Sequence, residues 1–222
     1  FSVLFGKLMY HPDTRDLPFS YLIAYSDTMY LVPGRNFATV GLYRDIRKWP
    51  KRDKRKAMDR KSSVNFDWLS PFTISEVLRG KRILEQLRDQ GPDEEGVYKH
   101  QCYVIKPQWL ERGLMFYDLA IRIYMGAVLK RHRPLKPDSN IGEGNWIDLA
   151  GMLMPEQVES QLIDAVIDGT VDSIATLIYR FKGINNDYNE LRWTWSYRLI
   201  MDYYGLDELT DESLERIHAD YI

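Results

Sequence analysis

Two short β-prone runs, residues 21–25 (YLIAY) and 28–32 (TMYLV), are split by Ser26 and Asp27, a pattern that predicts a hairpin. Pro33 and Gly34 then turn the chain. From residue 72 the apolar period lengthens to that of a helix, with Ile74, Val77, Leu78, Leu84 and Leu87 along one face. Thr73 is placed to cap it, Glu76 to complete a capping box, Phe72 to staple onto Val77, and Gly91–Pro92 to end it. Residues 102–105 read as a strand. Pro107 opens a long helix to about Arg131, in which Leu114, Tyr117, Ile121, Tyr124 and Val128 share a face. Its basic end complements the negative helix terminus, and Pro134 stops it. Residues 137–151 are polar and glycine-bearing, the clearest internal boundary. Beyond them the pattern predicts helices over 155–168, 172–182, 187–204 and 211–221, with Leu209, Thr210 and Leu214 set for a cap and staple.

These elements make an α+β chain that is mainly helical. A small amino-terminal β-containing part with a basic loop and the long helix fills residues 1–137, an acidic helical region fills 138–222, and the two are expected to pack as one compact unit. Fifteen tyrosines and six tryptophans indicate a core or interface of large rings. A single cysteine excludes an intrachain disulfide framework and suits a reducing, cytoplasmic setting. The opening residues are apolar but short and lack a basic flank, so no signal peptide is expected. Opening at Phe rather than Met, the chain reads as a piece of a longer protein. The long helix carries Glu111, Arg112, Asp118 and Arg122, which a bilayer would reject, so no membrane partner is expected.

Net charge of −2 hides a strong asymmetry. Residues 138–222 hold 17 acidic against 5 basic side chains, and residues 1–137 hold 25 basic against 15 acidic. Within residues 35–61 the count is 11 basic to 3 acidic. The run comprises Arg44, Arg47, Lys48, Lys51, Arg52, Lys54, Arg55, Lys56, Arg60 and Lys61, with Tyr43 and Trp49 beside it; Pro50 interrupts any helix, so residues 44–61 read as an exposed loop flanked by short helical turns. Guanidinium forks and ammonium groups are what phosphate recognition requires. Arg44, Arg47, Lys48, Lys51, Arg52 and Arg55 are therefore the candidate anion site, for a phosphate-bearing small molecule rather than nucleic acid. A solvated loop, or a dock for the acidic helices, is the plainer reading of the same charges.

Other candidates are weaker. On one strand His100 and Cys102 would face the same side, yet Cys102 among apolar neighbours reads as a small buried hydrophobe. His11, His132 and His218 have no metal-ligand spacing, and His11–Pro12–Asp13 reads as a turn. Gly142 and Gly144 are not followed by a third glycine, since Ile147 stands there, so no dinucleotide fingerprint is present. Glu143 and Asp148 could pair as carboxylates, although nothing in the sequence brings them together. Tyr188, Leu191, Trp195 and Leu199 fall along one stripe, which reads as core or interface packing. No catalytic residue, metal ligand or cofactor is assigned.

Three stretches, residues 11–19 (HPDTRDLPF), 40–53 (VGLYRDIRKWPKRD) and 64–72 (VNFDWLSPF), together with 193–197 (WTWSY), carry a family likeness. They resemble the carboxy-terminal region of an uncharacterised family from Bacteroides-type bacteria, whose upstream part is a left-handed β-helix of hexapeptide repeats. The upstream part is similar to sugar-nucleotide acyltransferases and pyrophosphorylases, and this chain contains no such repeats. The resemblance implies a transferase-like protein in which this region supplies phosphate or nucleotide-sugar contacts to a site completed by the upstream β-helix, and a homo-oligomer. The alternative is a non-catalytic helical module for assembly or partner docking.

Overall fold

The hairpin expected from residues 21–32 forms as β2 (Tyr21–Tyr25) against β3 (Thr28–Val32), with Tyr21 opposite Val32 and Ser26 turning the chain in a left-handed conformation. The computed structural model describes residues 1–8, 10–52, 63–130 and 136–221. It is α+β and mainly helical. By its contacts the chain divides into two units, one of Phe1–Arg52 with Thr73–Arg122, the other of Asp53–Phe72 with Ile123–Ile222.

In the first unit β1 (Val3–Phe5) pairs in parallel with β2, and β5 (Tyr103–Ile105) pairs in parallel with β3 and antiparallel with β4 (Tyr98–His100). The five strands run in the order β1-β2-β3-β5-β4. Three helices belong to this region: α1 (Val40–Arg52), α2 (Pro71–Gln90) and α3 (Pro107–Leu129), the last continuing into the second unit. Leu22, Met29, Leu31, Ile74, Val77, Leu84, Leu110, Tyr117 and Ile121 are buried. Gly80 permits a close approach: a Cβ there would lie 2.7 Å from the Asp16 carbonyl and 2.8 Å from the Tyr117 ring. The hydroxyl of Tyr117 donates to the Pro18 carbonyl at 2.9 Å and that of Tyr103 to the Asp13 carbonyl at 2.8 Å, tying the loop over residues 11–19 to the core.

Several expectations change here. The segment from Val40 to Arg52 is a helix rather than a loop, and Pro50 lies inside it, where its ring forgoes one backbone hydrogen bond, to the Ile46 carbonyl, without ending the helix. α2 starts at Pro71, whose fixed φ suits a first helical position, so Thr73 lies inside the helix rather than capping it. Cys102 is in the turn between β4 and β5 and is half-buried, neither sealed in the core nor on one strand with His100.

In the second unit another hairpin begins within the expected polar connection and runs past its end, β6 (Trp146–Leu149) with β7 (Met152–Pro155), turning through Ala150 and Gly151, both at positive φ. α4 (Glu156–Ile167) follows. The next two expected helices are one, α5 (Ile174–Tyr204), because Gly183, Asn185 and Asn186 lower helix propensity without blocking a backbone hydrogen bond. Ser173 caps its start by accepting from the Thr176 N–H at 3.2 Å, and Gly205 ends it in the left-handed conformation. α6 (Asp211–Tyr221) is capped as expected by Thr210, with Ser213 in the reciprocal position. The core here gathers Tyr124, Met125, Val128, Trp146, Met154, Trp195, Ile200 and Ile217.

Candidate functional site

α1 is amphipathic. Leu42 is buried and Ile46 half-buried on one side, whereas Arg44, Arg47, Lys48, Lys51 and Arg52 are all exposed. At 3.6 residues per turn those five cations fall within an arc of about 140°, in rows one turn apart. A sequence reading that breaks the helix at Pro50 cannot see this shared face. Arg44 donates from Nε to Asp45 Oδ1 at 2.9 Å; among the described residues Arg47, Lys48 and Lys51 make no ion pair. The hydrogen bond from Arg44, with the nearby charges of Arg44, Lys48 and Arg52, holds the Asp45 carboxyl below its usual range. Arg55 lies outside the described residues. The face can attract and orient an anion. Behind α1, on the side of Leu42 and Ile46, a cavity of about 420 Å³ is lined by Phe1, Val3, Tyr21, Asn36 and Asp45, the carboxylate that Arg44 binds.

The second unit holds a buried polar cluster that sequence reasoning missed. Arg192 is 2% exposed. Its guanidinium pairs with Asp67 Oδ2, which also accepts from the Tyr188 hydroxyl at 3.3 Å. Arg192 lies 5.9 Å from the Tyr124 ring centre and 6.0 Å from that of Tyr188, and the Tyr124 hydroxyl shares a 2.7 Å hydrogen bond with Ser196. Burial pushes both phenols well above their ordinary range. Among three consecutive buried neighbours, Trp193, Thr194 and Trp195, the charge of Arg192 was the available signal, since a buried guanidinium demands a partner. The ion pair and the Tyr188 hydrogen bond fasten Asp67 to α5.

The glycines of residues 142–144 are also structural. Trp146 Nε1 donates to the Gly142 carbonyl at 2.8 Å and Trp195 Nε1 to that of Gly144 at 3.1 Å. A Cβ on Gly142 would stand 2.5 Å from the Leu191 carbonyl. Asp148 accepts from the Gly151 N–H in the hairpin turn, and Glu143 lines a cavity of about 680 Å³ with Asp202, Asp207, Glu208, Arg198 and Lys136. Asp13 is bound by Arg15 in a turn, as expected. The His100 Nε2 is buried with no hydrogen-bond partner among the described residues, and burial lowers the pKa of the imidazole. Among the described residues no group of three or more His, Cys, Asp or Glu could hold a metal ion, and no helix is long and apolar enough to cross a membrane. His132 lies outside the described residues.

Residues 1–88 match the model of a domain of unknown function, DUF4954, and residues 129–220 match that of a second, DUF6819. No curated protein and no solved structure matches the chain.

Proposed function

We infer that the first unit is a phosphate-binding accessory region of a cytoplasmic, transferase-like protein of the Bacteroides-type family, whose upstream β-helix completes the site. The observation that carries this reading is the exposed cationic arc of α1, where Arg47, Lys48 and Lys51 make no ion pair among the described residues. Small-molecule sites are usually concave, and a single helix face is convex. The arc therefore suits a contributor of charge to a neighbouring pocket better than a self-sufficient binding site, and a nucleotide sugar supplies the matching diphosphate. Isothermal titration of the chain with pyrophosphate and with a uridine diphosphate sugar tests it at low salt. We expect weak binding that the triple variant Arg47→Glu, Lys48→Glu, Lys51→Glu reduces by about tenfold or more, with rising salt acting in the same direction. All three side chains are exposed, so the melting temperature should not move. Equal binding by the wild type and the triple variant removes α1 from the site.

A further inference from the structure

Between Glu156 and Asp187, Val171 is the only buried residue among those described. This stretch contains all of α4 and nearly half of α5. A 12-residue helix is marginal in water by itself, because most helical stability in proteins comes from packing an apolar face. α4 has such residues but buries none of them. Ile163, Val166 and Ile167 on α4, and Ile174, Ile178 and Tyr179 on α5, are exposed, with Ile167 at 78%, Ile174 at 77% and Tyr179 at 75%. Ile163, Val166 and Ile167 stand at three- and four-residue steps and Ile174 and Ile178 four residues apart, flanking the six-residue connection that joins the helices, with Tyr179 beside Ile178.

We propose that α4 and the first half of α5 form the surface on which a second copy of this chain docks. Two helices joined by a short connection are half of a four-helix bundle, and a second pair supplies the missing half. The size agrees. The six side chains leave apolar surface on the order of 500 Å² open on each copy, large for a patch on a free monomer. With interfaces roughly 60% apolar, that corresponds to about 800 Å² per partner, the size of a standard stable interface. The charge also suits self-association. α4 carries Glu156, Glu159 and Asp164 with no basic residue, whereas the exposed Arg180 on α5 is a cation whose charge also lowers the Asp168 carboxyl of the same copy. A two-fold axis that lays α4 over the partner copy's α5 brings opposite signs together, and the same patch serves both copies. The proposal is independent of the anion-binding reading of α1.

Sedimentation velocity of the chain from about 1 to 200 μM tests it, a range that brackets the micromolar dissociation constants of modest interfaces. The expected result is a reversible monomer–dimer equilibrium. The variant Ile167→Asp, Ile174→Asp should shift it at least tenfold toward monomer while keeping the wild-type melting temperature at low concentration, since both side chains are open to solvent in one copy. Amide hydrogen exchange across α4 should slow as wild-type concentration rises and stay fast in the variant. A wild-type chain that remains monomeric throughout, including one whose patch binds only a different protein, overturns the proposal. So does a double variant that dimerises as tightly as the wild type.

Discussion

Arg192 shows what a single residue decides here. It is almost wholly buried, whereas the Asp67 side chain that pairs with it is 29% exposed. The two ends of this ion pair should therefore respond unequally to mutation. Asp67→Ala strands a buried guanidinium and is expected to cost about 3–5 kcal/mol. Arg192→Met leaves a carboxylate that can reach water and fills the space with an apolar chain of similar length, at a cost of about 1–2 kcal/mol. The double variant should recover part of the Asp67→Ala loss, because no charge is left buried. Urea denaturation of the three variants closes the cycle, and equal losses for the two single variants would contradict this asymmetry. The basic run shows the opposite case: every one of its cations was visible in the sequence, but not that five of them share one side of α1.

At the scale of elements, Gly80 sits inside α2 with Asp16 and Tyr117 pressed against it. On an exposed helix Gly→Ala stabilises by roughly 0.5–1 kcal/mol. Here the added methyl meets a backbone carbonyl and a buried ring, so Gly80→Ala should instead destabilise by about 1–3 kcal/mol. A lower chemical-denaturation midpoint with an unchanged slope would establish it, and a higher midpoint would refute the close packing. The elements whose periodic signal was long were read with small errors at their ends. The elements missed were short or interrupted. β6 and β7 are four residues each, too brief for alternation to stand out from a glycine-bearing loop. Pro50, Gly183 and Asn186 are genuine helix breakers by propensity, overridden in α1 and α5 by the flanking hydrogen bonds and packing.

Across the whole molecule, buried tyrosines set a response to alkali. Desolvation by burial pushes the Tyr103 phenol from 10.0 to about 12, and raises Tyr117, Tyr124 and Tyr188 in the same direction. A phenol whose folded pKa is raised stays neutral in the native state after its unfolded counterpart has ionised. That stability is complete below about pH 10 and is lost as pH climbs toward the folded value. Melting temperatures followed by circular dichroism should hold steady from pH 8 to near 10 and fall beyond it. A flat profile to pH 11.5 would mean that these phenols reach water.

The sequence by itself determined the first hairpin, the spans of α2, α3 and α6, the buried positions Tyr188, Trp195 and Leu199 of the α5 stripe though not the half-buried Leu191, and the surplus of positive charge around α1. Each of these follows from near-neighbour rules: alternation in strands, a 3.6-residue period in helices, capping chemistry and simple charge counts. Tertiary structure alone decided that the basic segment is a helix face, that Arg192 finds Asp67 from 125 positions away in the chain, and that Gly142 is empty of side chain because Leu191 needs the space. It also decided that the apolar residues of α4 are left open. The physical reason is the same throughout. Burial, ion pairing and steric room are properties of residues distant in sequence, and no local pattern records which of them meet.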